Sequence, residues 1–258
     1  MTDNNKLPTD LSDTQMELVK MVIPNSVVSR LRKLSLESIV NALAYLVKTG
    51  CQWRMLPGCF PPPMSVYYHF RCWNDKGWFR ILMGSLVYSR RIGTGRNPMP
   101  SVAVVDSQSV RANLPQSEKG VDGHKRVKGI KRHIGVDSQG NPLEVFVTKA
   151  NVHDSRVGLP LIKSLVNKYP TIRLIKADKG YASVAGNLKG YGADVQIECV
   201  KSNFGTSDFI PMKGRWVVER TFSWLDNYRR LARNYEKYIS TATGMTLLAC
   251  SMLLLRHF

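Results

Sequence analysis

The sequence predicts an α/β protein in which a mixed β-sheet flanked by helices follows an all-helical N-terminal region. Apolar residues before residue 90 recur at the spacing of helix faces, whereas short β-branched runs alternate with helical segments after residue 100. A stretch rich in Gly and Pro, residues 93–100, separates the two patterns. We therefore expect two parts, a helical region at residues 1–95 and an α/β domain at residues 96–258.

Four helices are predicted in the N-terminal region. The clearest follows Ser35 as N-cap and ends at Gly50, and the others cover residues 11–22, 65–75 and 78–89, with Ser65 as a cap. Basic and aromatic side chains gather around the third helix: Arg54, Tyr67, Tyr68, His69 and Arg71. This grouping favours a helix-turn-helix-like DNA-binding region. A helical cap with an aromatic core is the alternative, because the connecting loop exceeds a turn of about 3 to 4 residues.

The second part begins with an apolar run, Val102 to Val105, that predicts a buried strand ending on Asp106. The further predicted elements are a hairpin around residues 137–140, a helix at 156–167, a strand ending on Asp178, a short helix at 182–188, a strand at 194–200 and a helix at 215–234. This is the element order of the ribonuclease H-like fold. Ligands of such sheets bind at the carboxyl ends of parallel strands, where Asp106 and Asp178 are expected.

The charge indicates a polyanionic partner. The chain has 37 Lys and Arg against 19 Asp and Glu, a net charge of +18, and both parts are basic. A basic surface that serves only solubility is the alternative, and charge alone does not distinguish DNA, RNA and a membrane surface.

The cysteines and the apolar segments indicate a cytoplasmic protein. Five cysteines without a C-x-x-C pair favour a reducing compartment. Packing explains Cys51, Cys59, His69 and Cys72 better than zinc does, because their spacing matches no zinc pattern. The N-terminus has no signal peptide, and the apolar run at residues 245–255 is too short to span a bilayer, which predicts a buried helix.

Three carboxylates form the candidate catalytic set. On the helix at 215–234, Glu219 and Asp226 lie opposite the apolar stripe of Val218 and Phe222. Together with Asp106 and Asp178, Glu219 has the oxygen ligands that Mg²⁺ or Mn²⁺ prefers. Two such ions stabilise the attacking and leaving oxygens of a phosphoryl displacement. Taken singly, an Asp at a strand end is more often a cap and a helical Glu more often solvated.

Three segments resemble the acidic motifs of DDE transposases of the insertion sequence five family. They are Val104-Val-Asp-Ser-Gln-Ser-Val110, Ala177-Asp-Lys-Gly-Tyr181 and Arg215-Trp-Val-Val-Glu-Arg-Thr-Phe-Ser-Trp-Leu225. The similarity extends to Gly50-Cys-Gln-Trp-Arg-Met-Leu-Pro57, Val66-Tyr-Tyr-His-Phe-Arg71, Gly129-Ile-Lys-Arg-His-Ile134 and Ala150-Asn-Val-His-Asp-Ser-Arg156. It therefore covers nearly the whole chain, and the third motif is highly specific.

The resemblance implies a transposase that binds the inverted repeats of its element, cleaves double-stranded DNA and joins the 3′-hydroxyl ends to target DNA. Asp106, Asp178 and Glu219 would bind two Mg²⁺ or Mn²⁺ ions, and Arg215 would contact a phosphate. Arg215 matches the Arg of the Tyr-Arg-Glu-Lys signature, but Met212 and Asp226 stand where its Tyr and Lys would fall. The resemblance also implies a dimer or larger assembly when the ends are paired, in the bacterial cytoplasm and near the nucleoid.

Two further segments are candidates for the same site. A basic run with interspersed glycines predicts a loop that binds DNA phosphates; its residues are Lys125, Arg126, Lys128, Lys131 and Arg132. A solvated loop between strands is the alternative. The pair His153-Asp154 could position metal or water, although a helix cap is the simpler role for Asp154. Trp216 and Trp224 are interpreted as core residues, with stacking of an exposed ring on a flipped base as the alternative.

Two rival functions share these residues. A ribonuclease H-like nuclease would cut without joining, and a regulator derived from a transposase would bind DNA without cutting. A strand-transfer assay separates the first from a transposase, and metal-dependent nicking excludes the second.

Overall fold

A computed structural model describes residues 6–23, 34–112, 115, 118–181, 184, 195–199, 214 and 216–258. Its helices are α1 (Asp13–Val22), α2 (Leu36–Thr49), α3 (Pro63–Asp75), α4 (Trp78–Gly93), α5 (Asp154–Lys168), α6 (Trp216–Asp226), α7 (Arg229–Ala232) and α8 (Ile239–Leu255). Its strands are β1 (Val102–Arg111), β2 (Gly120–Asp122), β3 (Val127–Asp137), β4 (Pro142–Lys149), β5 (Leu174–Ala177) and β6 (Gln196–Cys199). The predicted short helix at 182–188 falls outside the described residues, except for residue 184.

The chain forms two compact units that are both discontinuous in sequence. The first contains Met1–Leu86, Leu225–Arg233 and Gly244–Phe258, and the second contains Val87–Trp224 and Asn234–Thr243. The first unit is helical, and the second contains the β-sheet. The functional division at residue 95 stays a prediction.

Local sequence signals set the helices of the first unit. Ser35 caps α2 by accepting a hydrogen bond from the backbone N–H of Ser38 at 3.1 Å, and Gly50 ends it in the left-handed conformation. Glycine is also required at that position because a Cβ would lie 3.0 Å from the backbone of Arg229. The third helix begins at Pro63 rather than Ser65, since proline suits the first helical turn and Ser65 is buried.

The predicted C-terminal helix is confirmed as α8, which is apolar on all sides and almost entirely buried. Within the first unit, Gly244 lets α8 approach α3, because a Cβ there would lie 2.3 Å from the Asn74 side chain. The C-terminal segment therefore completes the helical core around Phe70 and Trp73, both fully buried.

The sheet of the second unit has the mixed arrangement of the ribonuclease H-like fold. Its described strands are ordered β2-β3-β1-β5-β6, and β4 also pairs with β3. The pairs β1–β3 and β3–β4 are antiparallel, whereas β1–β5 and β5–β6 are parallel. The predicted hairpin at residues 137–140 joins β3 to β4, as expected from the alternating apolar residues.

Two predicted boundaries in this part of the chain were wrong. The first strand continues through Asp106 to Arg111, because β3 pairs with β1 beyond the point where β5 ends. The helix predicted at 215–234 ends at Asp226, and α7 follows as a separate turn. In α7 the buried Arg230 donates to the carbonyl oxygen of Cys51 at 2.9 Å, so its guanidinium faces the interior of the first unit.

None of the helices among the described residues has both the length and the apolar character needed to cross a membrane.

Candidate active site

Asp106 lies within β1, and Asp178 directly follows β5, the parallel strand beside it. The parallel pairing of β1 with β5 ends where Val105 lies opposite Ala177. The next positions in that register are Asp106 and Asp178, at the carboxyl end of β5. Both side chains are partly buried. The fold therefore brings two of the predicted carboxylates to one edge of the sheet.

The phenol of Tyr181 lies within the electrostatic field of this edge. Tyr181 is fully buried in the 3₁₀ turn that follows Asp178. Burial raises the pKa of its phenol, and the negative charges of Asp154, Asp106 and Asp178 raise it further. Tyr181 therefore stays protonated and can act as a hydrogen-bond donor.

His133 on β3 is the neighbour that accepts from this phenol. Its Nδ1 lies 3.4 Å from the hydroxyl of Tyr181, and its Nε2 lies 3.0 Å from Oγ1 of Thr148. The Thr148 hydroxyl donates to the carbonyl of Lys149, so Nε2 carries the proton and Nδ1 accepts. Burial lowers the pKa of His133 to about 4, although Asp154 opposes the shift. His133 is therefore a neutral, fixed part of the site.

Lys131, a buried cation two residues before His133 on β3, balances two further carboxylates. Nζ of Lys131 lies 3.1 Å from Asp154 and 3.6 Å from Asp122, and it donates to the carbonyl of Val152 at 3.1 Å. Burial alone would raise the pKa of Asp122, but the hydrogen bond from Ser109 and other contacts lower it to about 2. Lys131 is therefore occupied by partners within the protein.

The predicted basic run divides into buried and exposed residues. Lys131 and Arg132 are buried in β3, where they have partners within the chain instead of a position facing a phosphate. Lys125 and Arg126 are exposed in the turn between β2 and β3, and Lys128 is exposed at the start of β3. The amino group of Lys125 donates to the carbonyl oxygen of Ser107 at 3.2 Å, next to Asp106. The exposed part of the run thus begins close to the two aspartates, and it is a hairpin rather than a flexible loop.

Glu219 lies on the exposed face of α6, as the sequence pattern predicted. In the second unit, the Thr221 hydroxyl donates to the carbonyl of Gly140 at 2.9 Å and fixes the helix to the β3–β4 turn. The Arg220 guanidinium lies 4.4 and 4.5 Å from the ring centres of Trp216 and Trp224. Trp216 is 50% exposed, which corrects its interpretation as a core residue. Arg215 falls outside the described residues.

The donor chemistry of Asp106 and Asp178 fits a divalent cation. Both offer carboxylate oxygens, and Mg²⁺ is commonly held by one or two carboxylates together with water and substrate phosphates. In the described part of the chain, no three His, Cys, Asp or Glu side chains lie close enough together to hold a metal ion. Glu219 is therefore not grouped with the two aspartates in this structure.

The residues predicted to read DNA lie on α3 in the first unit. Tyr68 is 61% exposed, whereas its neighbours His69 and Phe70 are buried in the aromatic core. Arg71 pairs with Asp75 at 3.9 Å, and both side chains are partly exposed. The core interpretation thus holds for His69 and Phe70, while Tyr68 and Arg71 face outward and keep the prediction of a DNA contact open.

With this geometry in place, comparison with known families identifies the class of protein. The family model described as "Transposase DDE domain" matches residues 97–254. The model described as "Putative transposase of IS4/5 family" matches residues 11–83. The chain belongs to the DDE transposases of bacterial insertion sequences.

Two curated relatives share the name "Putative transposase for insertion sequence element". The IS402 protein of Burkholderia cepacia is 33% identical over 134 residues, which cover 48% of this chain and 62% of that protein. The IS6501 protein of Brucella ovis (strain ATCC 25840 / 63/290 / NCTC 10512) is 32% identical over 132 residues, which cover 49% of this chain and 98% of that protein. The alignment thus spans less than two thirds of the first relative and nearly all of the second.

Sequence reasoning missed the polar network behind the aspartates. The sequence pattern places Lys131 in a basic run that binds DNA, and it assigns no role to His133 or Tyr181. Asp154 was interpreted as a helix cap, but the cap of α5 is His153, whose Nδ1 accepts from the backbone N–H of Ser155 at 3.3 Å. The available signal was polar residues in the apolar pattern of β3, since buried polar groups require partners.

Proposed function

We propose that this chain is an active transposase that cuts DNA at the ends of its insertion sequence and joins the freed 3′ ends to a target. Asp106 and Asp178 take the next positions after the last parallel pair of β1 and β5, Val105 and Ala177, and this register supports the proposal most directly. A regulator without catalysis would not need two carboxylates at the ligand-binding edge of the sheet.

In this proposal, the three carboxylates come from different elements of the fold. Asp106 and Asp178 hold Mg²⁺ or Mn²⁺ from the sheet, and Glu219 contributes from α6. Divalent cations bound there stabilise the charge on the attacking and leaving oxygens of an in-line displacement. Neutral His133 and protonated Tyr181 add no charge to this edge, so the carboxylates keep a strong attraction for a cation. Arg215 would bind a phosphate of the end DNA.

The reaction needs two displacements at phosphorus. In the first, a water oxygen bonds to the phosphorus at the element's end and the bond to the 3′ oxygen breaks, which leaves a 3′-hydroxyl and a 5′-phosphate. In the second, that 3′-hydroxyl attacks a target phosphodiester and a target 3′ oxygen leaves with a proton. One phosphodiester replaces another, so joining requires no external energy source.

In this proposal, exposed cationic side chains bind the DNA backbone. Lys125, Arg126 and Lys128 lie beside the strand that carries Asp106, which is where backbone phosphates must pass. Tyr68 and Arg71 on α3 would read the terminal repeat in the duplex. Two copies of the chain would pair the two ends.

The test is a combined nicking and joining assay. Full-length protein is incubated with labelled duplex carrying the element's end, a supercoiled target plasmid and Mg²⁺ or Mn²⁺. We expect nicks at the end and labelled plasmid, both absent with Asp106→Asn. Nicks without labelled plasmid would identify a nuclease, and end binding without nicks would identify a DNA-binding regulator.

A further inference from the structure

The side chain of Asp154 is not needed to cap its own helix, α5. It is the first residue of α5, and His153 already caps that helix. Its side chain is only 27% exposed and points into the polar network of the sheet. The contacts of this carboxylate connect the two segments that carry Asp106 and Asp178.

The first connection is to β1. The Ser107 hydroxyl donates to Oδ1 of Asp154 at 3.1 Å. The backbone N–H of the same residue donates to the carboxylate of Asp106 at 2.7 Å. Asp154 thereby fixes Ser107, and Ser107 holds the carboxylate of Asp106.

The second connection is to the turn after β5. A Cβ on Gly180 would lie 3.4 Å from the Cβ of Asp154, an ordinary van der Waals distance, so the turn passes directly beside this side chain. The next residue, Tyr181, donates its backbone N–H to the carbonyl of Asp178 at 2.9 Å. Its ring packs against Gly158 of α5, where a Cβ would lie 2.6 Å from the ring. The start of α5 therefore defines where Asp178 leaves the sheet.

Asp154 is not itself placed as a cation ligand. Its Oδ1 receives both the Ser107 hydroxyl and the Lys131 ammonium, each at 3.1 Å. This oxygen is therefore already used by two donors, and Lys131 compensates its charge. The influence of Asp154 on Asp106 and Asp178 must act through their positions.

We propose that Asp154 is a positioning residue that sets the spacing of Asp106 and Asp178 by holding Ser107 and the Gly180 turn against α5. The proposal rests on the proposed function in one respect, namely that the two aspartates bind a divalent cation. Side chains that orient metal ligands in this way typically change metal affinity by about 10- to 100-fold when they are removed.

The test measures binding of Mn²⁺ alone to the full-length protein by electron paramagnetic resonance. We expect Asp154→Ala to weaken Mn²⁺ binding by about 10- to 100-fold, with thermal unfolding followed by circular dichroism to verify the fold. Asp13→Ala is the matched control, because Asp13 is likewise the first residue of a helix but pairs only with exposed Lys6. It should bind Mn²⁺ as the wild type does.

Two further variants separate positioning from direct ligation. Asp154→Asn keeps an oxygen that accepts from Ser107, so it should retain most of the Mn²⁺ affinity. Ser107→Ala should weaken binding in the same direction as Asp154→Ala, and the double variant should be no worse than the stronger single one, because both break the same connection. Equal losses in Asp154→Asn and Asp154→Ala would overturn positioning in favour of a ligand role.

Wild-type Mn²⁺ affinity in a folded Asp154→Ala protein would also overturn the proposal. Failure of the proposed function would give a different result. The wild-type protein would bind Mn²⁺, and Asp154→Ala would weaken that binding, but the wild-type protein would neither nick nor join end DNA.

Discussion

The guanidinium of Arg91, in the last turn of α4, donates to the carboxylate of Asp137 at the end of β3, and both side chains are almost completely buried. The other oxygen of Asp137 accepts from the backbone N–H groups of Gln139 and Asn141 at 2.9 and 3.0 Å. One carboxylate therefore fixes both the start of the second unit and the turn between β3 and β4.

Removing this carboxylate should strongly destabilise the second unit. In Asp137→Ala the Arg91 charge stays buried without its partner, which typically costs about 3 to 5 kcal/mol. Urea unfolding followed by circular dichroism measures the effect. Glu198→Gln is the control, because the ion pair of Glu198 with Lys176 is 3.7 Å long and partly exposed, and its loss should cost less than about 1 kcal/mol. Similar losses in the two variants would contradict the structural role of Asp137.

Stability should fall as the pH is lowered from 6.5 towards 4, and His133 should be one cause. Its pKa is about 4 in the folded protein, below the ordinary 6.5, so the unfolded chain takes up the proton first. The contribution of His133 to the free energy of unfolding is complete above pH 6.5 and amounts to about 3 kcal/mol. Asp154, Lys131, Lys125 and Tyr181 surround the ring.

His133→Gln tests this, since glutamine has both a donor and an acceptor and does not titrate. The free energy of unfolding, measured from pH 7 to pH 4, should vary less with pH than in the wild type. An unchanged slope would mean that another group causes the acid sensitivity.

Glutamine in place of Glu219 should abolish cleavage while leaving the fold and end binding intact. The side chain keeps its size but loses the charge that attracts a divalent cation. Nicking of labelled end DNA should fall by several orders of magnitude. Asp226→Asn is the matched control, an exposed carboxylate on the same helix that should retain most activity. Near wild-type nicking by folded Glu219→Gln would remove Glu219 from the catalytic set.

Neutralising Lys125, Arg126 and Lys128 together should weaken DNA binding by a similar factor for every sequence. Each lost phosphate contact reduces the slope of log affinity against log salt concentration by about 0.9. Fluorescence anisotropy between low and moderate salt gives this slope. Arg173→Gln is a suitable control, because Arg173 lies just before the amino end of β5 and donates to the carbonyl of Pro170. A triple variant with the wild-type slope would show that this turn does not contact phosphates.

Tyr68→Ala should reduce the preference for end DNA over random duplex. Tyr68 is exposed on α3, and losing one base contact typically costs about 1 to 3 kcal/mol of discrimination. Gel shift with full-length protein measures both affinities in the absence of a divalent cation. The control Met21→Ala removes an 80% exposed side chain from α1 and should leave the preference unchanged. If Tyr68→Ala discriminated as well as the wild type, recognition would have to lie elsewhere.

The elements that the sequence predicted correctly are those with local causes. Ser35 and Gly50 bound α2 through contacts within a few residues, and the apolar alternation around residues 137–140 determines its hairpin. The prediction that Asp178 follows the end of its strand is confirmed, whereas Asp106 lies within β1, which continues to Arg111.

The parts that were missed depend on contacts distant in sequence. No residue near Arg230 in the sequence indicates that its guanidinium donates to the carbonyl oxygen of Cys51. The sequence therefore did not predict that α6 ends at Asp226. Lys131 looks like a surface cation until Asp154 and Asp122 are brought beside it. Local pattern does not encode such pairings.

The return of Gly244–Phe258 into the first unit affects how the protein is made. During translation, the N-terminal helices emerge from the ribosome long before the segment that covers them. The core of the helical unit then remains incompletely covered until residues 244–258 have been synthesised. Folding of the helical unit therefore requires residues 244–258, and a chain from which they are missing exposes an apolar surface and should be a preferred substrate for chaperones and proteases.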